Sequence, residues 1–271
     1  MSGLTAHNQL APVLRQLKLT GMLETLDARL AEARAGTLGH VDFLQVLCED
    51  ELSRRDAAKI SRRLRAAHLP TAATLESFDY NFNPKAPVAQ IRDLTRLEFI
   101  DAGESVCIYG PVGVGKTHVA VGLAHQAARR GYDVLFLTCS QLLAELGGGH
   151  ADGSFPARLR RLAKPPLLVI DDFAMRDFGV TQADDFYELI CERVGHPGRS
   201  LILTSNRSPG DWYPLFPNPV VGESVLDRLL NSSHHLLMDG KATGPTADPA
   251  ATNPPNQQPP PGPRRQPSSA S

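Results

Sequence analysis

Residues 110 to 117 read Gly110-Pro111-Val112-Gly113-Val114-Gly115-Lys116-Thr117, and this stretch decides the fold. It satisfies GxxxxGK[ST], follows the apolar run Ser105 to Tyr109 (SVCIY) and opens the helical pattern THVAVGLAHQAARR. That is the strand, loop and helix context a phosphate-binding loop requires. A chance glycine-rich turn needs neither the strand before it nor the helix after it. Glycines let backbone N–H groups turn onto phosphate oxygens, and the helix N-terminus adds the positive end of its dipole. Gly110 to Gly115 are thus the candidate cradle. Lys116 is the cation that neutralises phosphate charge, and the Thr117 hydroxyl is a ligand for Mg²⁺. The motif points to a nucleoside triphosphate and is silent on the base.

Further short apolar runs follow, VLFLT, PLLVI and SLILTS, separated by helical stretches such as His118 to Arg130 and Ala183 to Val194. Strands alternating with helices imply a parallel sheet with crossovers, an α/β fold. Leu167 to Asp172 (LLVIDD) is an apolar strand ending in carboxylates, the partner a phosphate-binding loop needs. Asp171 is placed to hold Mg²⁺ through water, and Asp172 to act as the general base that orients an attacking water. The plain alternative for either acid is a turn after a buried strand, where Asp is common. The strand LILTS ends at Asn206. In an additional-strand P-loop ATPase the strand between the two motif strands presents a polar residue near the γ-phosphate, a role Asn206 fits; an ordinary turn former is the alternative. Within Gly222 to Leu230 (GESVLDRLL), a short amphipathic helix sets Arg228 either as an arginine finger for a neighbouring subunit or as a surface partner of Asp227 or Glu223.

The rest of the 271-residue chain bounds these readings. With 42% hydrophobic and 21% charged residues it is globular rather than fibrous. Lys plus Arg number 28 against 29 Asp plus Glu, so binding to nucleic acid must come from a local patch. Arg54, Arg55, Lys59, Arg62, Arg63 and Arg65 crowd six cations into twelve residues, and Arg55, Lys59 and Arg62 share a helix face, a candidate stripe for duplex DNA. A solvated helix surface is its alternative. Arg158, Arg160 and Arg161 form a weaker candidate. No aromatic platform or zinc-finger spacing supports sequence-specific readout. No stretch is long and apolar enough to span a membrane and no secretory signal opens the chain, so a cytoplasmic protein with no membrane partner is expected. Cys48, Cys107, Cys139 and Cys191 lie far apart with no CxxC and are expected to be reduced, buried thiols. His118 and Trp212 read as packing residues. His234 and His235 are placed before the last strand and lack metal-ligand company, so no metal besides Mg²⁺ is expected.

Three regions are expected. Residues 1–77 form a helical domain for partner or DNA binding, with apolar positions such as Leu10, Val13, Leu14 and Leu17 at 3 and 4 spacing. Residues 78–240 form the nucleotide-binding domain, reached by a linker, Ser77 to Pro87, kept extended by Pro84 and Pro87. Residues 241–271, with nine Pro and no aromatic, Leu, Ile or Val, read as a disordered tail or at most a polyproline-type docking peptide.

GPVGVGKTHVA, LLVIDDF, LILTSN and GESVLDRLL, in that order, preceded by LESFDYNF and QIRDLTRLEFIDAGESV, resemble the IstB-like AAA+ helper ATPases of insertion-sequence transposition. The wider clan includes DnaC-type helicase loaders and the DnaA initiator. The resemblance covers roughly residues 1 to 238. It implies ATP as the nucleotide, an additional-strand AAA+ core, homo-oligomers on double-stranded DNA and a transposase as partner. It likewise implies Lys116 and Thr117 on phosphate and Mg²⁺, Asp171 and Asp172 as Walker B acids, Asn206 as sensor 1 and Arg228 as finger. Two departures stand out. After LLMDGK the chain turns into ATGPTADP where the family continues with a Ser-Tyr-Arg-type segment, so a sensor 2 arginine is absent or relocated. GGGHADGSFPARLRRL is glycine-rich where relatives are helical. Two other functions compete: a helicase loader, whose N-terminal region grips a replicative helicase, and a stand-alone P-loop kinase of small molecules.

Overall fold

The computed structural model describes residues 3–70, 73–79, 83 and 85–240, with side chains from residue 9. Apolar spacing in the N-terminal region becomes three helices, α1 (Gly3–Gln16), α2 (Thr20–Arg34) and α3 (His40–Ala66). α2 and α3 pack together and bury Leu26 and Leu47. Glu51, buried on α3, accepts from Gly21 N at 2.6 Å, supplying a partner to a first-turn N–H that has none within its own helix. A 3₁₀ turn at Leu75–Ser77 and two short helices, α4 (Val88–Leu94) and α5 (Glu98–Ala102), lead to the sheet.

From there strand and helix alternate as the sequence predicts. The order is β1 (Ser105–Tyr109), α6 (Lys116–Arg130), β2 (Val134–Thr138), α7 (Cys139–Asp152), α8 (Phe155–Ala163), β3 (Leu167–Phe173), α9 (Val180–Arg193), β4 (Ser200–Ser205), α10 (Pro219–Asn231) and β5 (Ser233–Leu237). All five strands are parallel, in the order β2-β3-β4-β1-β5. β4 therefore lies between the strand of the phosphate loop and the strand of LLVIDD, which is the additional-strand arrangement. Alternate strand residues face opposite layers. Val106, Ile108, Val169 and Ile202 meet α6 on one side. Cys107, Leu168, Ile170, Leu201 and Leu203 meet α7 to α10 on the other. The end of α3 joins the first layer: Ala67 is buried there, Leu64 packs against it, and the Ala67 carbonyl accepts from Phe136 N at 2.9 Å. That contact covers the outer edge of β2, a strand edge otherwise open to pairing.

Three expectations change. The glycine-rich segment is helical: α7 runs through Gly147 to Gly149 and α8 follows after one break at Gly153. Glycine is needed there for close approach, since a Cβ on Gly149 would lie 2.7 Å from the Phe155 Cα. His234 and His235 sit within β5, where they pair with Val106 and Cys107, because β5 begins immediately after α10. Of the thiols, Cys107 and Cys139 are buried, Cys191 is half-buried and Cys48 is exposed on α3. The disorder expected of 241–271, and part of the linker, fall outside the described residues. Phe78, Asp79 and Asn83 of that linker lie in irregular backbone.

One buried side chain on α9 ties the start of β4 to the end of α8 and to the α8–β3 connection. Arg193, wholly inaccessible, donates to the carbonyls of Leu162, Ala163, Pro165 and Ser200 at 2.7 to 2.9 Å. Burial and nearby Arg199 both oppose its charge; four carbonyl dipoles offset that cost. Arg193→Ala leaves these acceptors unmet, and at about 1 to 3 kcal/mol for each buried group left without a partner the loss expected is several kcal/mol, read from the urea unfolding midpoint. A change under about 1 kcal/mol, the scale of a neutral hydrogen bond, would mean that water replaces the guanidinium.

Candidate nucleotide and hydrolysis site

The phosphate loop leaves the C-terminal edge of the sheet between β1 and α6. Gly110, Gly113 and Gly115 take φ of 146°, 81° and 97°, values that L side chains avoid. Gly110 is doubly constrained, because a Cβ there would strike the Met238 carbonyl, while its N–H donates to Ser205 O at 3.2 Å. Lys116, in the first turn of α6, is buried and donates to Pro111 O at 2.6 Å. Burial lowers its pKa, opposed by the charges of Asp172 and Asp171. An anion is the natural complement of an enclosed cation at a helix N-terminus.

Opposite it stand the two acids. Thr117 Oγ1 donates to Asp171 Oδ1 at 2.9 Å. Asp171 is buried, and the same oxygen accepts from Thr204 Oγ1 of β4. With its proton on Asp171, the Thr117 oxygen keeps its lone pairs, and Asp171 Oδ2 keeps its own. Hard oxygen donors beside phosphate suit Mg²⁺, so the chemistry of the donor set fits that ion.

Asp172 departs from plain strand geometry. Pairing between β3 and β4 runs Ile170 with Leu203, then Phe173 with Ser205: three steps on one strand against two on the other, a β-bulge. Asp172 occupies it with φ 56°. Its exposed carboxylate has a pKa raised by lost hydration and by Asp171, with Lys116 pulling the other way. Asn206 follows β4 directly, half-buried, its Nδ2 donating to Met175 Sδ at 3.2 Å. Thus Lys116, Thr117, Asp171, Asp172 and Asn206 all gather at one edge of the sheet.

Arg228 does not join them. It is exposed in the last turn of α10 and, among the described residues, makes no ion pair with Glu223 or Asp227; Asp227 instead receives Tyr213 OH at 3.4 Å. One turn later, Ser232 O accepts from Ser105 N at 2.8 Å, at the sheet edge opposite the phosphate loop. Five strand residues, about 16 Å at 3.3 Å each, separate the two edges.

The basic stripe is partly occupied by its own neighbours. Arg55 pairs with Glu51 at 2.7 Å and Lys59 with Asp56 at 2.9 Å, while Arg62 is exposed with no ion pair among the described residues. Arg54 and Arg63 reach Glu24 and Asp133. In the second basic cluster, Arg158 binds Asp152 and Arg161 binds Glu145. His118 is a packing residue, its Nε2 3.0 Å from Thr74 O and its ring 5.2 Å from that of Phe78. Trp212 is a core anchor, buried edge-on against Phe173 with its N–H on Ser205 Oγ at 3.1 Å. Sequence reasoning missed Thr204. Its signal was a polar residue in an apolar run, two positions before Asn206 and therefore on the same strand face.

Fold and site together define a nucleotide-binding P-loop protein of the AAA+, additional-strand type. Residues 12–244 match the family described as IstB-like ATP binding protein, and the chain belongs to that family. Among its relatives is a Mycobacterium tuberculosis protein named for ATP binding in an insertion sequence, 57% identical over 239 residues, or 88% of this chain and 95% of that one. A Geobacillus stearothermophilus relative with a similar name is 32% identical over 227 residues, covering 84% and 90%. Among solved structures, the DnaC helicase loader aligns with a TM-score of 0.54 at 22% identity, over 62% of this chain and 97% of that one. The initiator DnaA bound to AMPPCP and single-stranded DNA aligns at 0.53 and 18%, over 64% and 52%. At these identities the likeness is one of fold. The protein is thus an ATP-binding relative of insertion-sequence proteins, and no described helix is long and apolar enough to cross a membrane.

Proposed function

We propose that this protein hydrolyses ATP with Mg²⁺ as an oligomeric, DNA-bound switch that assists a partner transposase. The observation that carries the hydrolytic reading is the bulge at Asp172, which brings a second carboxylate beside the Lys116 and Asp171 cluster. In this reading Lys116 and the loop amides hold the phosphates, and Thr117 and Asp171 would hold Mg²⁺. When bound, that ion neutralises charge on the β- and γ-phosphates. Asp172 takes a proton from water, and Asn206 orients the same water from β4. A second carboxylate facing a polar strand end suits water as the phosphoryl acceptor, which favours hydrolysis over small-molecule kinase chemistry. The transposase is supported by the relatives, which are named for insertion sequences. The helicase-loader alternative rests on likeness of fold alone. Residues 1–77 are the candidate partner and DNA region.

ATP turnover measured with and without duplex DNA tests the whole reading, since a DNA-bound switch is stimulated by duplex. Equal turnover in both would remove DNA from the mechanism. For the stripe on α3, the exposed Lys59–Asp56 pair is worth about 0 to 1 kcal/mol, so a phosphate displaces Asp56 at little cost, whereas Arg55 is held by the buried Glu51 carboxylate. Replacing Arg55, Lys59 and Arg62 together by Ala is expected to weaken duplex binding uniformly across sequences. The salt slope should flatten by about 0.9 for each phosphate no longer neutralised. An unchanged slope would leave those residues as solvated surface.

A further inference from the structure

Thr204 is a buried polar residue in a strand that is otherwise apolar save for its two ends, and its hydroxyl serves both acids at once. Its proton goes to Asp171 Oδ1, and its oxygen accepts from the Asp172 N–H at 3.1 Å. The second bond has a physical origin in the bulge. An extra residue in β3 costs one ladder hydrogen bond, and the orphaned N–H belongs to Asp172, held at φ 56°. A buried N–H without a partner is costly. Thr204 Oγ1 takes the place of the missing carbonyl and so stabilises the left-handed backbone that turns Asp172 out of the strand. The first bond, joined by the one from Thr117, fixes the Asp171 carboxylate so that Oδ1 is occupied by two donors and Oδ2 is left over.

We infer that Thr204 is a positioning residue of the hydrolytic site, setting Asp171 for Mg²⁺ and Asp172 for water through one hydroxyl. The inference deepens the ATPase reading and rests on it. Nothing in this role needs Thr204 to touch nucleotide, so its loss separates from loss of binding.

Three measurements on the full-length chain test it, comparing wild type with Thr204→Val, which keeps the shape, and Thr204→Ser, which keeps the hydroxyl. The first is ATP turnover. Thr204→Val is expected to lose roughly 10- to 100-fold in kcat with ATP KM nearly unchanged, the size expected when part of a 10²–10⁴ general-base contribution is misaligned, and Thr204→Ser is expected to recover most of it. The second needs no turnover: the Mg²⁺ concentration at half-saturation for binding of a fluorescent ADP should rise several-fold in the valine variant and return in the serine one. The third is amide exchange without nucleotide, in which the peptide holding Asp172 should exchange faster only in the valine variant. Should valine prevent folding, Thr204→Cys, with a weaker donor of similar size, is read by the same three measurements. Wild-type turnover in the valine variant overturns the inference. So does loss of turnover with the Mg²⁺ midpoint and Asp172 exchange unmoved, or a serine variant as impaired as valine. If wild type itself fails to hydrolyse ATP, the hydrolytic reading falls, and the Mg²⁺ and exchange measurements still decide whether Thr204 positions the acids.

Discussion

Arg228→Ala is expected to bind ATP as wild type does and to hydrolyse it about 10³ to 10⁵ times more slowly, the range an arginine supplied to a γ-phosphate is worth. The expectation follows from topology. Arg228 lies one turn before Ser232, at the edge of the sheet where β1 and β5 begin, whereas the phosphate loop leaves the other edge. One helical turn sets Arg228 about 5 Å nearer than Ser232, which leaves about 11 Å of the roughly 16 Å between the edges. The guanidinium is exposed, and no ion pair among the described residues occupies it. We propose that it serves a neighbouring subunit's site, in which case hydrolysis depends on assembly. The mixing experiment sharpens this. Lys116→Ala lacks a working phosphate loop but carries Arg228; Arg228→Ala has the converse defect. Combined, they form some interfaces in which both parts are intact, and activity should return. If the mixture is as inactive as each component while wild-type subunits assemble under the same conditions, the shared site is wrong.

The parts of this molecule legible in sequence are those where one residue type answers one local demand. Gly110, Gly113 and Gly115 were readable because positive φ and backbone approach admit little else, and β1 to β4 because buried parallel strands are short apolar runs. The position of β4 between β1 and β3 was expected from the additional-strand arrangement, into which the strand ending at Asn206 fitted. What escaped depends on pairings between distant segments. The bulge at Asp172 is a mismatch of register between β3 and β4, invisible in either strand alone. Thr204 meets the N–H that this mismatch leaves over and also donates to Asp171, neither of which its own strand reveals. Within the stripe on α3 the sequence holds only Asp56 as a counter-charge, yet Glu24, Glu51 and Asp133 also reach it, from α2, from the preceding turn and from the end of the α6–β2 connection. Gly147 to Gly149 are poor helix formers, and packing against α8 overrides that propensity.

Asp172→Asn is expected to retain nucleotide and lose about 10² to 10⁴ in turnover, the worth of a positioned general base. Asparagine is the informative replacement because it tolerates the left-handed backbone at φ 56°, so the bulge and its bond to Thr204 persist while only the proton acceptor is removed. The pH dependence separates this from misfolding. Lost hydration and Asp171 raise the Asp172 pKa above that of an ordinary carboxylate, so wild-type turnover should fall on the acid side as Asp172 takes up a proton, and that limb should vanish in the variant. Stability carries the opposite sign. A carboxyl whose pKa is higher folded than unfolded binds its proton more tightly in the fold; its contribution is greatest below the unfolded pKa and declines as pH rises through the folded one. At neutral pH the charged Asp172 therefore weighs against the fold, and Asp172→Asn should melt at a higher temperature than wild type, a gain that shrinks as pH falls. A variant that lost turnover and stability together at neutral pH would show that Asp172 supports the bulge rather than the chemistry.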